Sequence, residues 1–454
     1  MLLNPGTLAN GFTVVHYPVA ATSYAIGIRI EAGSRLDPPA YRGLAHVLEH
    51  VLLHLPGDDG RELLYGTSDG RIRTQGGWTS REETVYTMEV AVDALPQAVG
   101  WICRALFQPV FTPAVLETQL RVIADEAERH RAFRPTVPLE KRTDFDSAFF
   151  GEANLADAII GHESTRDKIT LEALANWHAR RYVGQRATVV IVGPGETATI
   201  EAQAAAVFEA VPAGKAVASP DPAPDGHGIG KRIRRSGAAS GTKTYYSVGF
   251  RTGGTSDPDW PVFGVLCALA ASRLDRTLKN DLGLTYALGV SREGGPDWGR
   301  FAIHADALPT EGPKLIQELD RQISAWHETG FGPNECDAVV ARLRQKTAAL
   351  GSPIQILQEI IWQVDGWKIH PAGPAEWNTD VLDSQEINRA ARRLFDPRRR
   401  VVVVSEGQGG RREQTRILAL FAVASVVLVW RTELYWLSVT GWNLLSRLWS
   451  QVFG

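Results

Sequence analysis

The chain contains little cysteine. Three of its 454 residues are Cys103, Cys267 and Cys336, and none belongs to a Cys-x-x-Cys pair. This spacing argues against a disulfide scaffold and a cysteine-based metal site, and it fits a reducing compartment. The N-terminus also lacks a basic segment followed by a long apolar run, so the sequence predicts no secretory signal. We therefore expect the folded part to stay in the cytoplasm.

An excess of one sign of charge is absent as well. The formal net charge of -3 and the pI near 6.4 predict no overall attraction to nucleic acid. Two short basic runs, 231–235 and 398–400, adjoin predicted element boundaries and are interpreted as solvated surface. Apolar residues at 44% and charged residues at 22% indicate a folded protein. A chain of 454 residues is too long for one ordinary hydrophobic core, so the sequence predicts two domains.

Strand-like and helix-like segments follow one another without regular alternation, which favours an α+β fold over a doubly wound parallel sheet. A segment from Pro212 to Gly230 is rich in Pro, Ala, Gly and Asp and is typical of a linker. Beyond it, the order of predicted elements resembles the first half, which indicates a duplicated domain. The predicted units are a catalytic domain at 1–212, a linker at 213–230, a second homologous domain at 231–407 and a hydrophobic helical tail at 408–454.

The tail differs in composition from the rest of the chain. Residues 417–430 carry no charge, and they lie between Arg416 and Arg431. Fourteen helical residues reach only ~21 Å of a hydrocarbon core ~30 Å thick, so a span would continue through Arg431. Later tryptophans are typical of a membrane interface. We predict membrane attachment with the catalytic part on the cytoplasmic face, the alternative being a core or partner-packing helix.

The clearest chemical signal is the segment His46-Val47-Leu48-Glu49-His50. Helical residues four apart lie on one face, so the two histidines can present their imidazoles to one metal ion. Glu49 lies beside that ion without having to bind it, which is the position of a general base for water activated by zinc. His54 is excluded as a ligand, because eight helical residues separate it from His46 by ~12 Å along the axis.

A catalytic zinc site usually has a third protein ligand. The candidates lie on a later predicted helix, at Asp125, Glu126 and Glu128. Spacing alone does not choose among them, and acidic residues on a helix commonly form a solvated face.

The segment from Gly43 to His50 resembles the core of the pitrilysin and insulinase family of inverzincin peptidases, to which mitochondrial processing peptidase belongs. Segments 32–35 and 79–86 agree with that resemblance, which covers about residues 8–405. The family's ligand glutamate lies about 76 residues after the second histidine, a place that Glu126 occupies, so the resemblance selects Glu126. It implies a zinc metalloendopeptidase with Zn²⁺ as cofactor, and two homologous domains that are mostly antiparallel sheets covered by helices.

The resemblance also implies substrate-binding residues in the second domain. The family holds the substrate backbone with an Arg and a Tyr, and Tyr286 matches the Tyr whereas Lys279 stands where Arg is usual. Lysine keeps the charge but loses the planar fork. A surface lysine and a core tyrosine are the alternative interpretation. Two further departures are Gly76 in place of an asparagine, and Gln119 in place of an acidic residue.

In the family, four such domains enclose a chamber. A chain of this size therefore needs a partner, as a homodimer or as a heterodimer with a related subunit, to enclose peptides or precursor segments. The alternative function is a non-catalytic scaffold subunit of a membrane complex that kept the peptidase fold. Such scaffolds usually lose the motif residues, which are all present here.

Overall fold

The structure is a computed structural model that describes residues 6–56, 62–133, 144–151, 153–215, 229–236, 243–363 and 382–406. The strands are β1 (Gly6–Thr7), β2 (Thr13–Pro18), β3 (Ser23–Ile30), β4 (Ile72–Thr79), β5 (Thr84–Ala91), β6 (Ala187–Gly193), β7 (Arg232–Ser236), β8 (Thr244–Thr252), β9 (Leu288–Gly294), β10 (Gly299–Ala307) and β11 (Arg400–Glu406). The helices of the first half are α1 (Leu44–Leu53), α2 (Leu95–Phe107), α3 (Pro113–Phe133), α4 (Asp144–Phe150), α5 (Glu163–Arg166), α6 (Leu171–Arg181) and α7 (Thr197–Phe208). Those of the second half are α8 (Trp260–Leu274), which continues as a π-helix (Asp275–Asp281), α9 (Gly312–Glu328), α10 (Pro333–Ala348), α11 (Pro353–Gln363) and α12 (Ser384–Leu394).

The strands form two sheets that share a five-strand topology, to which the first sheet adds β1 at one edge. The strand orders are β1-β2-β6-β3-β5-β4 and β7-β11-β8-β10-β9. In each sheet one pair is parallel, β2 with β6 and β7 with β11, and the other pairs are antiparallel. In sequence, α1 lies between β3 and β4 just as α8 lies between β8 and β9. The predicted α+β fold with two helix-covered sheets is therefore confirmed.

The first sheet is buried on both faces. Alternate residues of a strand face opposite sides, and all seven residues of β6 are buried. Val189 and Ile191 belong to the core beneath the helices of the first half. Val190 and Val192 belong to a separate cluster with apolar side chains of α11, namely Leu357, Ile360 and Ile361. A helix of the second half thus covers the outer face of the first sheet.

The second sheet shows the reciprocal arrangement. Val402 and Val404 of β11 face the core of the second half, whereas Val401 and Val403 pack with α4 of the first half. A glycine permits each close approach. A Cβ at Gly27 would lie 2.8 Å from Ile361 of α11, and a Cβ at Gly249 would lie 2.7 Å from Phe145 of α4. The two halves therefore exchange one helix each.

Charged side chains also join the halves in a closed ring of alternating sign, in which Arg300 is buried and Glu293 is 35% exposed. Arg300 donates to Asp146 Oδ1 at 2.5 Å and to Glu293 Oε2 at 2.8 Å. Arg81 completes the ring by contacting the same two carboxylates. Burial by itself raises the pKa of Glu293, but the charges of Arg81 and Arg300 outweigh it and hold that pKa below its usual value. Asp146 lies on α4, so the ring ties the exchanged helix to the first sheet.

None of the helices in the described part of the chain combines the length and the apolar character needed to cross a membrane. The predicted tail at 408–454 lies outside the described residues, as do residues 216–228 of the predicted linker.

Replacing Arg300 with Met should destabilise the protein by about 1–3 kcal/mol, because Asp146 and the partly exposed Glu293 then each lose one of their two cations. The free energy of unfolding from urea titration measures this loss. Arg321→Met is the matched control, since Arg321 is 62% exposed and its ion pair with Glu318 should contribute at most about 1 kcal/mol. Equal losses in the two variants would contradict a structural role for the ring.

Candidate metal centre

The helix that carries the two motif histidines begins at a constrained glycine. Gly43 precedes α1 with a φ of 96°, and a Cβ there would lie 2.7 Å from the carbonyl oxygen of Ile160. Only glycine tolerates both conditions without strain. Nine of the ten residues of α1 are buried, the exception being His50. The N-terminal end of α1 is therefore held at one position and angle.

The first turn of α1 is capped from a distance. Asp37 accepts hydrogen bonds from the backbone N–H of Gly43 at 2.8 Å and of Ala45 at 3.0 Å. A carboxylate at this end satisfies free donors and interacts favourably with the helix dipole. Burial raises the pKa of Asp37 to about 7, although the same hydrogen bonds oppose that shift.

Three predicted ligands come together between α1 and α3. One donor atom from each of His46, His50 and Glu126 lies within 4.8 Å of the other two. Glu126 Oε2 is 3.8 Å from Nε2 of His46 and 3.7 Å from Nε2 of His50. The Glu126 side chain is 35% exposed, so the group is open to solvent on one side.

The state of His46 fits a metal ligand. Burial, together with the charges of His50 and Arg166, lowers the pKa of His46 to about 3. Its Nδ1 is buried and has no hydrogen-bond partner among the residues that the structure describes. Burial lowers the pKa of His50 as well. Two neutral imidazoles and a carboxylate are a donor set that suits Zn²⁺ and leaves a fourth position open.

Gln119 orients the second imidazole. It is buried on α3, about two helical turns before Glu126, and therefore lies on the same face of the helix. Its Oε1 lies 3.4 Å from His50 Nδ1. A proton on Nδ1 directed at this oxygen leaves the Nε2 lone pair free for a metal. The departure from an acidic residue thus keeps an acceptor at this place but removes its charge.

Glu49 lies beside the group in an apolar environment. Burial raises the pKa of Glu49 to about 7; a hydrogen bond from Thr79 Oγ1, 2.8 Å long, opposes the shift, and the charge of Glu126 adds to it. A base with a pKa near neutrality is well matched to accepting a proton from water. Gly77 of β4 provides the space, since a Cβ there would lie 3.3 Å from Glu49 Cγ.

The other predicted residues lie elsewhere. Lys279 and Tyr286 meet on the second domain, with the ammonium nitrogen 5.5 Å from the ring centroid. Tyr286 is 84% exposed, so it is not a core tyrosine. His54 directly follows α1 and pairs with Glu62 at 2.6 Å rather than joining the three donors.

The remaining alternatives on α3 face away from the group. Asp125 forms an ion pair with Arg129 one turn along the helix, and the Asp125 side chain is 63% exposed. Glu128 is exposed as well. The structure thus brings Glu126, and neither neighbour, to the two histidines.

Sequence reasoning missed the neighbours of Glu49 and the cap of α1. Nothing in the sequence indicates that Thr79 and Gly77 contact Glu49. Thr79, for example, lies 30 positions from Glu49 in sequence. A capping side chain usually belongs to the N-cap residue itself, which here is Gly43. Asp37 lies six residues before Gly43, so the usual capping pattern does not reveal it.

Two family models match the chain. One is described as "Insulinase (Peptidase family M16)" and covers residues 13–160, and the other as "Peptidase M16 inactive domain" and covers residues 168–343. The first match includes the inverted motif and Glu126, so the fold and the site define a metallopeptidase. The chain belongs to the M16 family, which is the insulinase and pitrilysin family. The predicted family and enzyme class are thereby confirmed.

Known proteins resemble the chain over most of its length. An uncharacterized zinc protease of Mycobacterium leprae is 24% identical over 345 residues, which are 74% of this chain and 76% of that protein. A protease from Helicobacter pylori has the same fold with a TM-score of 0.78 and 16% identity, over 89% of this chain and 99% of that one. Pitrilysin matches with a TM-score of 0.67 and 17% identity, over 89% of this chain and 45% of its own. The chain thus corresponds to about half of pitrilysin.

Replacing Gln119 with Leu should weaken Zn²⁺ binding by about 10- to 100-fold, because His50 loses the acceptor that orients its ring. Competition with a fluorescent chelator measures the affinity. Asp125→Asn is the control on the same helix and should bind Zn²⁺ as the unchanged chain does. An affinity of Gln119→Leu equal to that control would exclude the orienting role.

Proposed function

We propose that this protein is a zinc-dependent metalloendopeptidase that hydrolyses peptides or precursor segments. The observation that supports this most directly is the convergence of His46, His50 and Glu126 within 4.8 Å, next to the buried carboxylate of Glu49. The zinc protease from Mycobacterium leprae supports the choice of metal.

In this proposal His46, His50 and Glu126 hold Zn²⁺. When bound there, Zn²⁺ would supply Lewis-acid chemistry that polarises a peptide carbonyl and lowers the pKa of water. Glu49 accepts the proton of the attacking water and returns it to the leaving amine. Thr79 keeps the Glu49 carboxylate directed by its 2.8 Å hydrogen bond, and the apolar surroundings keep the pKa of Glu49 close to neutral. Glu49 can therefore both accept and release a proton near pH 7.

The substrate is proposed to lie as an extended peptide along β4. This strand is the last in its sheet and carries Gly77 and Thr79 against Glu49. An edge strand offers backbone donors and acceptors to an added strand. Lys279 and Tyr286 are proposed to bind the peptide backbone from the second domain. Their exposure, and the contact between them, are compatible with that role.

A partner is proposed to complete the chamber. The chain corresponds to 45% of pitrilysin, so a second copy or a related subunit would supply the remaining domains. A chain that holds both the zinc motif and an approximate Lys–Tyr pair is sufficient for a homodimer. A heterodimer partner would instead supply the Arg and Tyr. The mass of the purified particle tests this proposal, and a single-chain mass during turnover would contradict it.

Replacing Glu49 with Gln should lower peptidase activity by at least about 100-fold while one zinc per chain is retained, because the base is lost and the ligands are not. Peptide hydrolysis and metal analysis on the same sample measure both quantities. Glu128→Gln, an exposed change on α3, should leave activity unchanged. Retained activity in Glu49→Gln would refute the mechanism. Absence of zinc from the unchanged chain would favour the scaffold alternative.

We also propose that residues 408–454 attach the protein to a membrane, with the catalytic domains on the cytoplasmic face. The uncharged run at 417–430 and the tryptophans after it support attachment. Deleting residues 411–454 should move the protein from the membrane fraction to the supernatant of a cell lysate. Immunoblots of the two fractions measure this shift. Equal recovery of both forms with membranes would contradict attachment through the tail.

A further inference from the structure

Equivalent turns of the two sheets meet at the boundary between the halves. The first turn, residues 80–83, joins β4 to β5, and the second, residues 295–298, joins β9 to β10. The loop after β3 supports the first turn through the backbone. Ser34 N–H donates to the carbonyl of Ser80 at 3.0 Å, and Arg35 N–H donates to that of Arg81 at 2.9 Å. Residues 33–35 and the first turn thus form one unit.

The second turn contacts this unit through the buried Trp298 and the exposed Asp297. The Trp298 indole N–H donates to Glu82 Oε1 at 2.5 Å. Arg35 donates to the same Glu82 oxygen at 3.0 Å and forms a bidentate pair with Asp297 at 2.7 Å for each bond. The approach is close, since a Cβ at Gly295 would lie 2.5 Å from Glu82 Oε1.

The charged ring adds a second connection. Arg81 of the first turn contacts Glu293 at the end of β9. Trp298 is 2% exposed and Arg35 is 3% exposed, whereas the side chains of Glu82 and Asp297 are 21% and 39% exposed. The bond from Trp298 to Glu82 is therefore better shielded from water than the pair of Arg35 with Asp297. Hydrogen bonds to ionised groups are stronger in such surroundings than at the surface. The second domain therefore contacts the first turn at two consecutive residues, Arg81 and Glu82.

The first turn, residues 80–83, directly follows Thr79, which contacts the proposed base Glu49. Thr79 ends β4 and donates to Glu49 at 2.8 Å. Because β4 is the last strand of its sheet, β5 pairs with it on one side only among the described residues. The end of β4 therefore depends on the turn for its position.

We propose that the second domain positions the catalytic base of the first: Trp298 and Glu293 hold the turn at residues 80–83, and the turn holds Thr79 against Glu49. Trp298 and Glu293 are positioning residues that act through Thr79. This inference rests on the proposed peptidase function. It assigns a role in catalysis to a domain in which the described residues contain no second group of metal ligands.

The test is Trp298→Phe, which removes the indole N–H and keeps an aromatic ring. We expect kcat to fall by about 10- to 100-fold, because small displacements of a catalytic group have effects of this size. KM should change less than kcat, because the substituted side chain itself is not proposed to contact substrate, and zinc content should stay at one per chain, because the ligands do not change. Amide hydrogen exchange in residues 77–84 should become faster.

Three further variants make the test specific. Glu293→Gln, which removes one charge from the other connection, should give the same pattern even where Trp298→Phe folds poorly. Arg321→Gln is the matched control, since Arg321 is an exposed residue of α9 whose partner is Glu318 on the same helix, away from β4 and the turn. It should leave kcat and exchange at residues 77–84 unchanged. Thr79→Ser should retain kcat because it keeps the hydroxyl, whereas Thr79→Val should reproduce the loss.

Unchanged exchange at residues 77–84 in both Trp298→Phe and Glu293→Gln would overturn the proposal. Faster exchange with an unchanged kcat would overturn it as well, because the turn would then be loosened without consequence for Glu49. If the unchanged chain hydrolyses no peptide, the proposed function fails. The exchange measurement still decides in that case whether the second domain holds the turn.

Discussion

Each sheet has two apolar faces, and the helices of its own half cover only one of them. The uncovered face of the first sheet receives α11, and that of the second receives α4. Gly27 and Gly249 occupy corresponding strands and leave the space in which these helices pack. Apolar burial is the main favourable contribution to folding, so each half depends on the other for a complete core. This reciprocal cover fixes how the two halves are joined, and the remaining contacts between them follow from it.

One such contact is the ring of Arg81, Asp146, Glu293 and Arg300. Arg300 is buried and the other three charges of the ring are partly exposed. A charge withdrawn from water is costly unless it is paired, and this ring pairs all four in alternating order. The ring lies next to the place where equivalent turns of the two sheets meet. The join between the halves is therefore polar at the turns and apolar beneath the exchanged helices. Polar contacts demand a defined geometry, which apolar packing by itself does not impose.

The metal centre lies in the first half, and its two sides are held in place by different numbers of neighbouring elements. Asp37 and Gly43 hold the start of α1, and Gln119 holds the ring of His50, so the ligand side is well supported. The substrate side is built on β4, an edge strand with glycines at positions 76 and 77. Gly77 makes room for Glu49, but both glycines lack the side chains that would otherwise stiffen the strand. The support of β4 must come from its neighbours, and the turn at residues 80–83 is one of them.

The sequence by itself determined the parts whose signals are local. The apolar spacing predicts α1, which runs from Leu44 to Leu53, and the fully apolar run from Val189 to Val192 predicts β6. The family spacing selects Glu126, which the structure brings to the two histidines. Only the tertiary structure decided the rest. β4 lacks alternating apolar residues because of its glycines, Asp37 caps a helix from six residues before Gly43, and Arg81 meets Glu293 across 212 positions. Periodicity reports which face of a single element is buried, but it carries no information on which distant element covers that face. The exchange of α4 and α11, and the turns that meet beside them, therefore emerged only from the folded chain.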